Sequence, residues 1–277
     1  MSDPFALPPE ETPRHQVAPG QALPDQPPPV PRRRDVQVGQ RRIVTLGQAA
    51  WALMFVVLYI AVVSGALLAV GLSGLVEFTL QSLLPVLLGT VTAAAMLALY
   101  VHLVRRNSLT PADLGFRRPG LRMFHLLWQI PVAIIAALVA QALFLGLLTI
   151  VGFDTASATT TNDPLEDIGA LSRPLALLVI LIVAVLTPIW EETLFRGAFL
   201  DGLSRRFRPA LAIILSAALF ATVHLVLVGF AYLFTLGVAL ALIRRFHQNL
   251  WAPIVLHAVN NALATLIVLV GVQSGRA

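Results

Sequence analysis

Long runs of apolar residues, separated by short charged or proline-containing segments, fill the chain after residue 42. A helix needs about 20 apolar residues to cross the hydrocarbon core of a bilayer, and only the run at 230–243 is clearly shorter than that. The pattern predicts an all-α, polytopic membrane helix bundle with about seven transmembrane helices and at most eight. The seven runs cover residues 46–71, 79–104, 124–151, 174–203, 209–228, 230–243 and 253–272.

The first 42 residues contain no apolar run and hold ten of the nineteen prolines. Such a composition is typical of a disordered, solvated segment because it cannot bury a core. We do not expect a secretory signal peptide here, since the first thirty residues lack an apolar core segment. We therefore predict two regions: a disordered Pro/Arg-rich cytoplasmic tail over residues 1–42 and a membrane domain over residues 43–277.

The composition is that of an integral membrane protein, with 57% hydrophobic and 12% charged residues, against about 25% charged residues in soluble domains. Cysteine is absent, which excludes disulfides, cysteine-ligated zinc and thiol catalysis. All nineteen basic residues are arginine. In a membrane protein, an excess of basic residues reflects which loops lie in the cytoplasm. We therefore predict contacts with membrane lipid and no nucleic-acid partner. The abundance of Ala, Leu, Val and Arg is typical of a high-GC bacterial genome.

Arginine is distributed unevenly over the segments between the apolar runs. With a cytoplasmic amino terminus, sixteen arginines fall on the cytoplasmic side, Arg173 and Arg276 fall outside, and Arg196 lies within the membrane. Basic residues are retained on the cytoplasmic side of membranes. We therefore predict a multi-pass protein of the bacterial plasma membrane with its amino terminus in the cytoplasm.

The run at 174–203 carries charge where charge is costly, in Glu191, Glu192 and Arg196. Intramembrane ionisable residues are usually paired, turned inward and functional. Glu192 and Arg196 lie four residues apart on one helix face, so we predict an internal ion pair. Glu191 points about 100° away from Glu192 and is predicted to face a cavity. Pro188, one turn earlier, should loosen the backbone there.

A short basic turn at 205–209 joins this run to the next and predicts an antiparallel helix hairpin. Glu191 lies fourteen residues before the turn and His224 lies fifteen residues after it. At 1.5 Å per residue both are about 20 Å from the turn, at nearly the same depth. Phe220 is four residues before His224 and shares its helix face.

The last apolar run adds His257 and Asn261, which share a helix face at a spacing of four residues. Asn260 lies near the same face and is the alternative amide. His257 is close to the start of its run and looks shallower than His224. Either the segment at 244–253 dips into the protein, or the predicted helix boundaries are off by a turn.

A free carboxylate, two imidazoles and an amide in a wet intramembrane pocket favour hydrolysis by one of two routes. Glu191 can take a proton from water while imidazole or amide donors hold the oxyanion that forms on the attacked carbonyl. Alternatively, Glu191, His224 and His257 can ligate a metal ion, for which zinc is the candidate because two histidines and a carboxylate form a common hydrolytic zinc set. The residues leave both routes open.

Three ordered motifs resemble the CPBP family of intramembrane proteases: Glu-Glu-x-x-x-Arg at 191–196, Phe-x-x-x-His at 220–224 and His-x-x-x-Asn at 257–261. This family includes the eukaryotic CAAX prenyl endopeptidases and the bacterial Abi proteins linked to bacteriocin self-immunity. The loop at 110–116 is also similar to the family's amino-terminal half. The match puts the catalytic helices at about 174–272.

The resemblance implies an intramembrane endopeptidase, glutamate-dependent or metal-dependent, that cleaves a peptide or membrane-protein substrate. It implies four catalytic residues: Glu191 as the water-activating base, His224 and His257 as its partners, and Asn261 as an oxyanion donor. It also implies three supporting residues: Glu192, Arg196 and Phe220. The bacterial setting argues against a prenylated substrate, and the sequence specifies no oligomeric state.

Two other functions remain open at this point. One is a non-proteolytic membrane scaffold or bacteriocin-immunity protein, in which the charges would form a structural network. The other is a proton-coupled transporter, which the lack of an evident inverted repeat disfavours.

Overall fold

The computed structural model describes residues 42–155 and 171–274. This part of the chain consists of helices and loops without a strand, which confirms the all-α prediction. The predicted tail, residues 1–42, lies outside the described residues except for Arg42. In chain order the helices are α1 (Leu46–Leu72), α2 (Leu80–Leu99, continued by a π-helical segment Tyr100–Arg105), α3 (Pro111–Leu114), α4 (Leu126–Ile150), α5 (Arg173–Ser204), α6 (Pro209–Val223), α7 (Phe230–His247) and α8 (Trp251–Ser274).

Five helices in the described part of the chain are long and apolar enough to cross a membrane. They are Leu46–Leu72, Ser82–Arg105, Leu121–Ile150, Arg173–Ser204 and Phe230–His247. Helices α6 and α8 add two shorter apolar stretches. Each of the seven predicted runs thus contains an apolar helix, and the protein is a multi-pass membrane protein.

The connection between α6 and α7 differs from the sequence prediction. The apolar pattern predicts a helix over 209–228, but α6 ends at Val223. Leu225 has a left-handed φ of 56°, which a continuing α-helix does not permit. The loop that follows is as apolar as the helix before it, so hydropathy does not reveal where the helix ends. Helix α7 in turn continues to His247, past its predicted end.

Helix α5 contains two π-helical segments, Ile182–Leu186 and Thr193–Phe199, on either side of the turn that carries both glutamates. Pro188 lies between them and has no N–H to donate to the preceding turn. The backbone accommodates the proline by widening, since the N–H of Thr187 bonds to the carbonyl of Ile182, five residues earlier. Widened turns of this kind occur frequently at functional sites.

The loop between α2 and α4 docks on the start of α8. Gly115 has a φ of 98°, and the guanidinium of Arg244 occupies the space where a side chain at this position would lie. The carbonyl of Gly115 accepts a hydrogen bond of 2.8 Å from the N–H of Leu250, whose side chain is fully buried. The connection between α7 and α8 is therefore buried against this loop, as the first of the two alternatives considered for His257 expects. The second alternative also applies, because α7 extends about a turn past its predicted end.

Helices α6 and α7 approach closely at small residues. A side-chain carbon at Gly237 would lie 3.1 Å from Cα of Ala217. Small residues permit such close packing between membrane helices. The approach brings the carbonyl of Gly237 within 3.2 Å of a guanidinium nitrogen of Arg196 on α5, so the hairpin of α6 and α7 closes over the charged turn.

Candidate active site

Glu192 and Arg196 form an ion pair that is fully enclosed by the bundle. Nη1 of Arg196 lies 2.8 Å from Oε1 of Glu192, and both side chains have 0% exposure. The guanidinium also donates to the carbonyl of Gly237 and lies 4.5 Å from the ring centre of Phe220. The pair is the one that the i, i+4 spacing predicts, and its carbonyl and aromatic neighbours compensate part of the desolvation of the guanidinium.

His257 is held by the same carboxylate oxygen. Its Nδ1 lies 2.9 Å from Oε1 of Glu192, and because a carboxylate only accepts, Nδ1 must be the donor. In the neutral ring, Nε2 then carries the lone pair, and it lies 3.6 Å from Oε2 of Glu191. Sequence reasoning missed the contact between Glu192 and His257, since 65 positions separate the two residues and no local spacing reports it.

His224 is oriented by its own helix. Its Nδ1 donates to the carbonyl of Phe220 at 2.7 Å, and its Nε2 lies 4.0 Å from Oε2 of Glu191. The ring of Phe220 lies beside both imidazoles, with centroids 4.6 Å from His224 and 5.7 Å from His257. Phe220 therefore packs against both imidazoles and also against the guanidinium of Arg196.

Glu191 lies where the two imidazoles converge. Its side chain is 10% exposed, and its Oε2 atom has no hydrogen-bond partner within the described residues. Its separations from the two Nε2 atoms exceed those of direct hydrogen bonds and suit contacts bridged by a small molecule such as water. The adjacent carboxylates therefore differ in environment: Oε1 of Glu192 is bonded to Arg196 and His257, while Oε2 of Glu191 faces two hydrogen-bond acceptors.

Asn261 lies against α5. Its Nδ2 donates to the carbonyl of Val183 at 2.9 Å, and its Oδ1 accepts from Nδ2 of Asn260 at 3.2 Å. Asn260 accepts in turn from the hydroxyl of Tyr232 on α7. Sequence reasoning did not single out Tyr232, because one tyrosine near the start of an apolar run has no spacing that marks it.

The candidate site is most exposed on the side of the α6–α7 loop. The side chain of His224 is 28% exposed, whereas that of His257 is 4% exposed. The neighbouring loop residues Leu225 and Leu227 are strongly exposed. A cavity of about 310 Å³ lies beside this loop, lined by Ala221, Thr222, Leu225, Val226, Leu227 and Phe230.

The zinc route requires Glu191, His224 and His257 to surround one ion. Zinc bonds of about 2.0–2.1 Å in tetrahedral geometry put neighbouring ligand atoms about 3.3 Å apart. Here the two imidazole nitrogens lie 3.6 Å and 4.0 Å from the Glu191 oxygen. In the described ranges no group of three or more His, Asp or Glu side chains is arranged to hold a metal ion. The residues as placed therefore lie farther apart than the ligands of a bound zinc ion.

The comparisons with known proteins support the resemblance drawn from the motifs. Residues 173–263 match a family model described as type II CAAX prenyl endopeptidase Rce1-like. No curated protein and no solved structure matches this chain. The matched segment contains both glutamates, both histidines and the asparagine pair. The match over residues 173–263 confirms, at the level of the family, the CAAX-protease resemblance drawn from the motifs.

Proposed function

We propose that this protein is an intramembrane endopeptidase that hydrolyses a peptide bond of a membrane-associated substrate with water activated by Glu191. The observation that carries the proposal is the convergence of two imidazole Nε2 atoms, at 3.6 Å and 4.0 Å, on Oε2 of Glu191. A carboxylate with no protein donor on that oxygen can accept a proton, and neighbouring acceptors can orient the water that supplies it.

The catalytic cycle assigns one task to each group. A water molecule donates one hydrogen bond to Glu191 and a second hydrogen bond to Nε2 of His224 or His257. As Glu191 takes the first proton, the water oxygen attacks the carbonyl carbon of the scissile bond, and an amide N–H of Asn261 stabilises the oxyanion. The intermediate collapses with cleavage of the C–N bond, and Glu191 returns the proton to the leaving amine.

Glu192 and Arg196 support this chemistry without contacting the substrate. Glu192 fixes the orientation of His257 through the bond of 2.9 Å. Arg196 balances the charge of Glu192, which would otherwise be an unpaired carboxylate in an apolar interior. Phe220 packs against both imidazoles. These three residues therefore act on geometry and charge rather than on the substrate.

The setting of the reaction follows from the sequence and the fold. The distribution of arginine supports a bacterial plasma membrane protein with a cytoplasmic amino terminus. The catalytic region is residues 43–277, with the tail of residues 1–42 outside it. The partners are membrane lipid and a peptide or membrane-protein substrate, and the family description makes a carboxyl-terminal Cys-a-a-X segment the first class to test.

The proposal is tested with purified protein in lipid vesicles and two synthetic peptides that end in cysteine plus three residues. One peptide carries a farnesyl group on the cysteine, and the other does not. We expect the wild type to release the last three residues from at least one peptide and Glu191→Gln to be slower by about 10²–10⁴-fold. Equal cleavage rates for the wild type and Glu191→Gln would remove the glutamate mechanism. Absence of cleavage of both peptides by the wild type would favour the scaffold or immunity function.

A chelator arm separates the two hydrolytic routes. We expect cleavage to survive extended dialysis against 1,10-phenanthroline, because the ligand geometry of the described residues does not fit a metal ion. Loss of cleavage on dialysis, with recovery on addition of zinc, would instead assign Glu191, His224 and His257 to a metal site.

A further inference from the structure

A chain of hydrogen bonds connects four helices behind the candidate site. The hydroxyl of Tyr232 donates to Oδ1 of Asn260, and Nδ2 of Asn260 donates to Oδ1 of Asn261 at 3.2 Å. Nδ2 of Asn261 donates to the carbonyl of Val183 at 2.9 Å. Tyr232 is itself fixed, because its backbone N–H donates to Oε1 of Gln141 at 3.0 Å. The chain therefore runs from α4 through α7 and α8 to α5.

The last acceptor in this chain, the carbonyl of Val183, is free to accept from a side chain because of Pro188. In the widened register of α5, the N–H of Thr187 bonds to the carbonyl of Ile182. In the same register the carbonyl of Val183 would accept from residue 188, and proline has no N–H. The side-chain amide of Asn261 supplies the missing donor.

The direction of every bond in this chain is determined by chemistry. A backbone carbonyl only accepts, so Nδ2 of Asn261 must be the atom that faces Val183. Oδ1 of Asn261 then faces Asn260, whose amide nitrogen must donate to it. If the Asn261 amide were reversed, its Oδ1 would face the carbonyl oxygen of Val183 and its Nδ2 would face Nδ2 of Asn260. Neither pair could form a hydrogen bond. The network therefore holds the Asn261 amide in one orientation, with one of its two N–H groups donating to the carbonyl of Val183.

We infer that Tyr232 and Asn260 are positioning residues that orient the amide of Asn261 for the oxyanion. The inference rests on the proposed function, in which Asn261 is the oxyanion donor. Tyr232 and Asn260 act only through Asn261. Removing the Tyr232 hydroxyl frees the Asn260 amide to rotate, and the Asn261 amide then loses the partner that keeps its second N–H in place.

The kinetic test uses Tyr232→Phe, with Tyr59→Phe as the matched control. Tyr59 is also a half-buried membrane tyrosine, and its hydroxyl contacts His102 at 3.3 Å in a different part of the bundle. With the peptide that the wild type cleaves, in lipid vesicles, we expect Tyr232→Phe to lower kcat roughly tenfold with KM unchanged. This is a part of the loss of about 10²–10³-fold for complete removal of an oxyanion donor. Tyr59→Phe should retain the wild-type kcat.

A double-mutant cycle tests whether Tyr232 acts through Asn261. If it does, Tyr232→Phe has no further effect on kcat in an Asn261→Ala background. If the loss of kcat in the double variant equals the product of the losses in the two single variants, Tyr232 acts independently of Asn261, and the inference is overturned. If Glu191→Gln is inactive while Tyr232→Phe keeps the wild-type kcat, the positioning role fails and the proposed function stands.

A spectroscopic arm gives an answer that does not depend on any substrate. The sequence has five asparagines, so protein labelled with ¹⁵N-asparagine gives a small set of side-chain amide signals, and those of Asn261 are assigned by their loss in Asn261→Ala. Tyr232→Phe should shift the signals of both Asn260 and Asn261, while Tyr59→Phe should leave them in place. Unchanged Asn261 signals in Tyr232→Phe would overturn the network even if Glu191→Gln abolishes cleavage.

Discussion

Oε1 of Glu192 lies 2.9 Å from Nδ1 of His257, and the same oxygen lies 2.8 Å from Nη1 of Arg196. One atom thus joins the charged turn of α5 to the histidine of α8. Glu191, its neighbour in the chain, instead directs an oxygen at the Nε2 atoms of both histidines. The adjacent glutamates are therefore expected to respond differently to the same substitution.

Glu192→Gln should destabilise the protein and Glu191→Gln should not. Replacing Glu192 leaves Arg196 as a fully buried charge without its carboxylate, and breaking a buried pair costs about 3–5 kcal/mol. Glu191 has no such cation at bonding distance, and glutamine has its shape. The check is the thermal unfolding midpoint of each variant in one detergent. Equal midpoints for the two variants would contradict the division of roles.

His257→Asn and His257→Leu should separate stability from activity. An asparagine amide can still donate to Glu192 from a position near that of Nδ1, but it has no counterpart of Nε2. We expect His257→Asn to stay folded, with a wild-type-like unfolding midpoint, and to lose about 10²-fold or more in kcat. His257→Leu should have a lower unfolding midpoint, because Glu192 loses a hydrogen bond, and a lower kcat, because Nε2 is absent. A His257→Asn variant with wild-type kcat would show that Nε2 has no part in the reaction.

Pro188→Ala should lower activity without lowering stability. The new N–H at position 188 can bond to the carbonyl of Val183 within the widened turn, where it competes with the Asn261 amide. We expect kcat to fall roughly tenfold, while the unfolding midpoint stays equal or rises because the helix gains a donor. Wild-type kcat in Pro188→Ala would indicate that the contact between Val183 and Asn261 does not matter for cleavage.

Asp113, in the loop that docks on α8, should give the protein an acid-sensitive contact outside the membrane. Hydrogen bonds from the Thr110 hydroxyl, the Thr110 N–H and the Arg42 N–H hold the pKa of this carboxyl below its ordinary value, against the opposing effect of burial. A lowered folded-state pKa stabilises the fold above the ordinary value of about 3.9, and this contribution is lost as the pH falls through the folded-state pKa.

The measurement compares unfolding midpoints of the wild type and Asp113→Asn between pH 3 and pH 7. The wild type should be more stable at pH 7, and the difference should shrink below about pH 4. A difference that stays constant over the whole range would mean that the charge of Asp113 contributes nothing.

The sequence predicts the helices well because apolar length is a direct requirement of the bilayer. It also predicts the pair of Glu192 and Arg196, since both residues lie on one helix face. The end of α6 is not predictable in this way, because the left-handed turn at Leu225 occurs inside continuous apolar sequence.

The remaining features depend on tertiary contacts that hydropathy and spacing do not report. The start of α8, which carries His257, is held by the hydrogen bond between Leu250 and Gly115, which lie far apart in the chain. The bond between Glu192 and His257 and the role of Tyr232 likewise arise only when α5, α7 and α8 pack together. The motifs predict which residues form the candidate site, but the packing of the helices determines which of their atoms are in contact.

The most direct test of the central claim is a comparison of membrane-protein termini in cells that lack this protein and carry either the wild type or Glu191→Ala at equal abundance. We expect new termini with the wild type that are absent with Glu191→Ala, and their positions identify the substrate. The same termini with both copies, or rescue of a deletion phenotype by both copies without any new terminus, would contradict a protease that depends on Glu191.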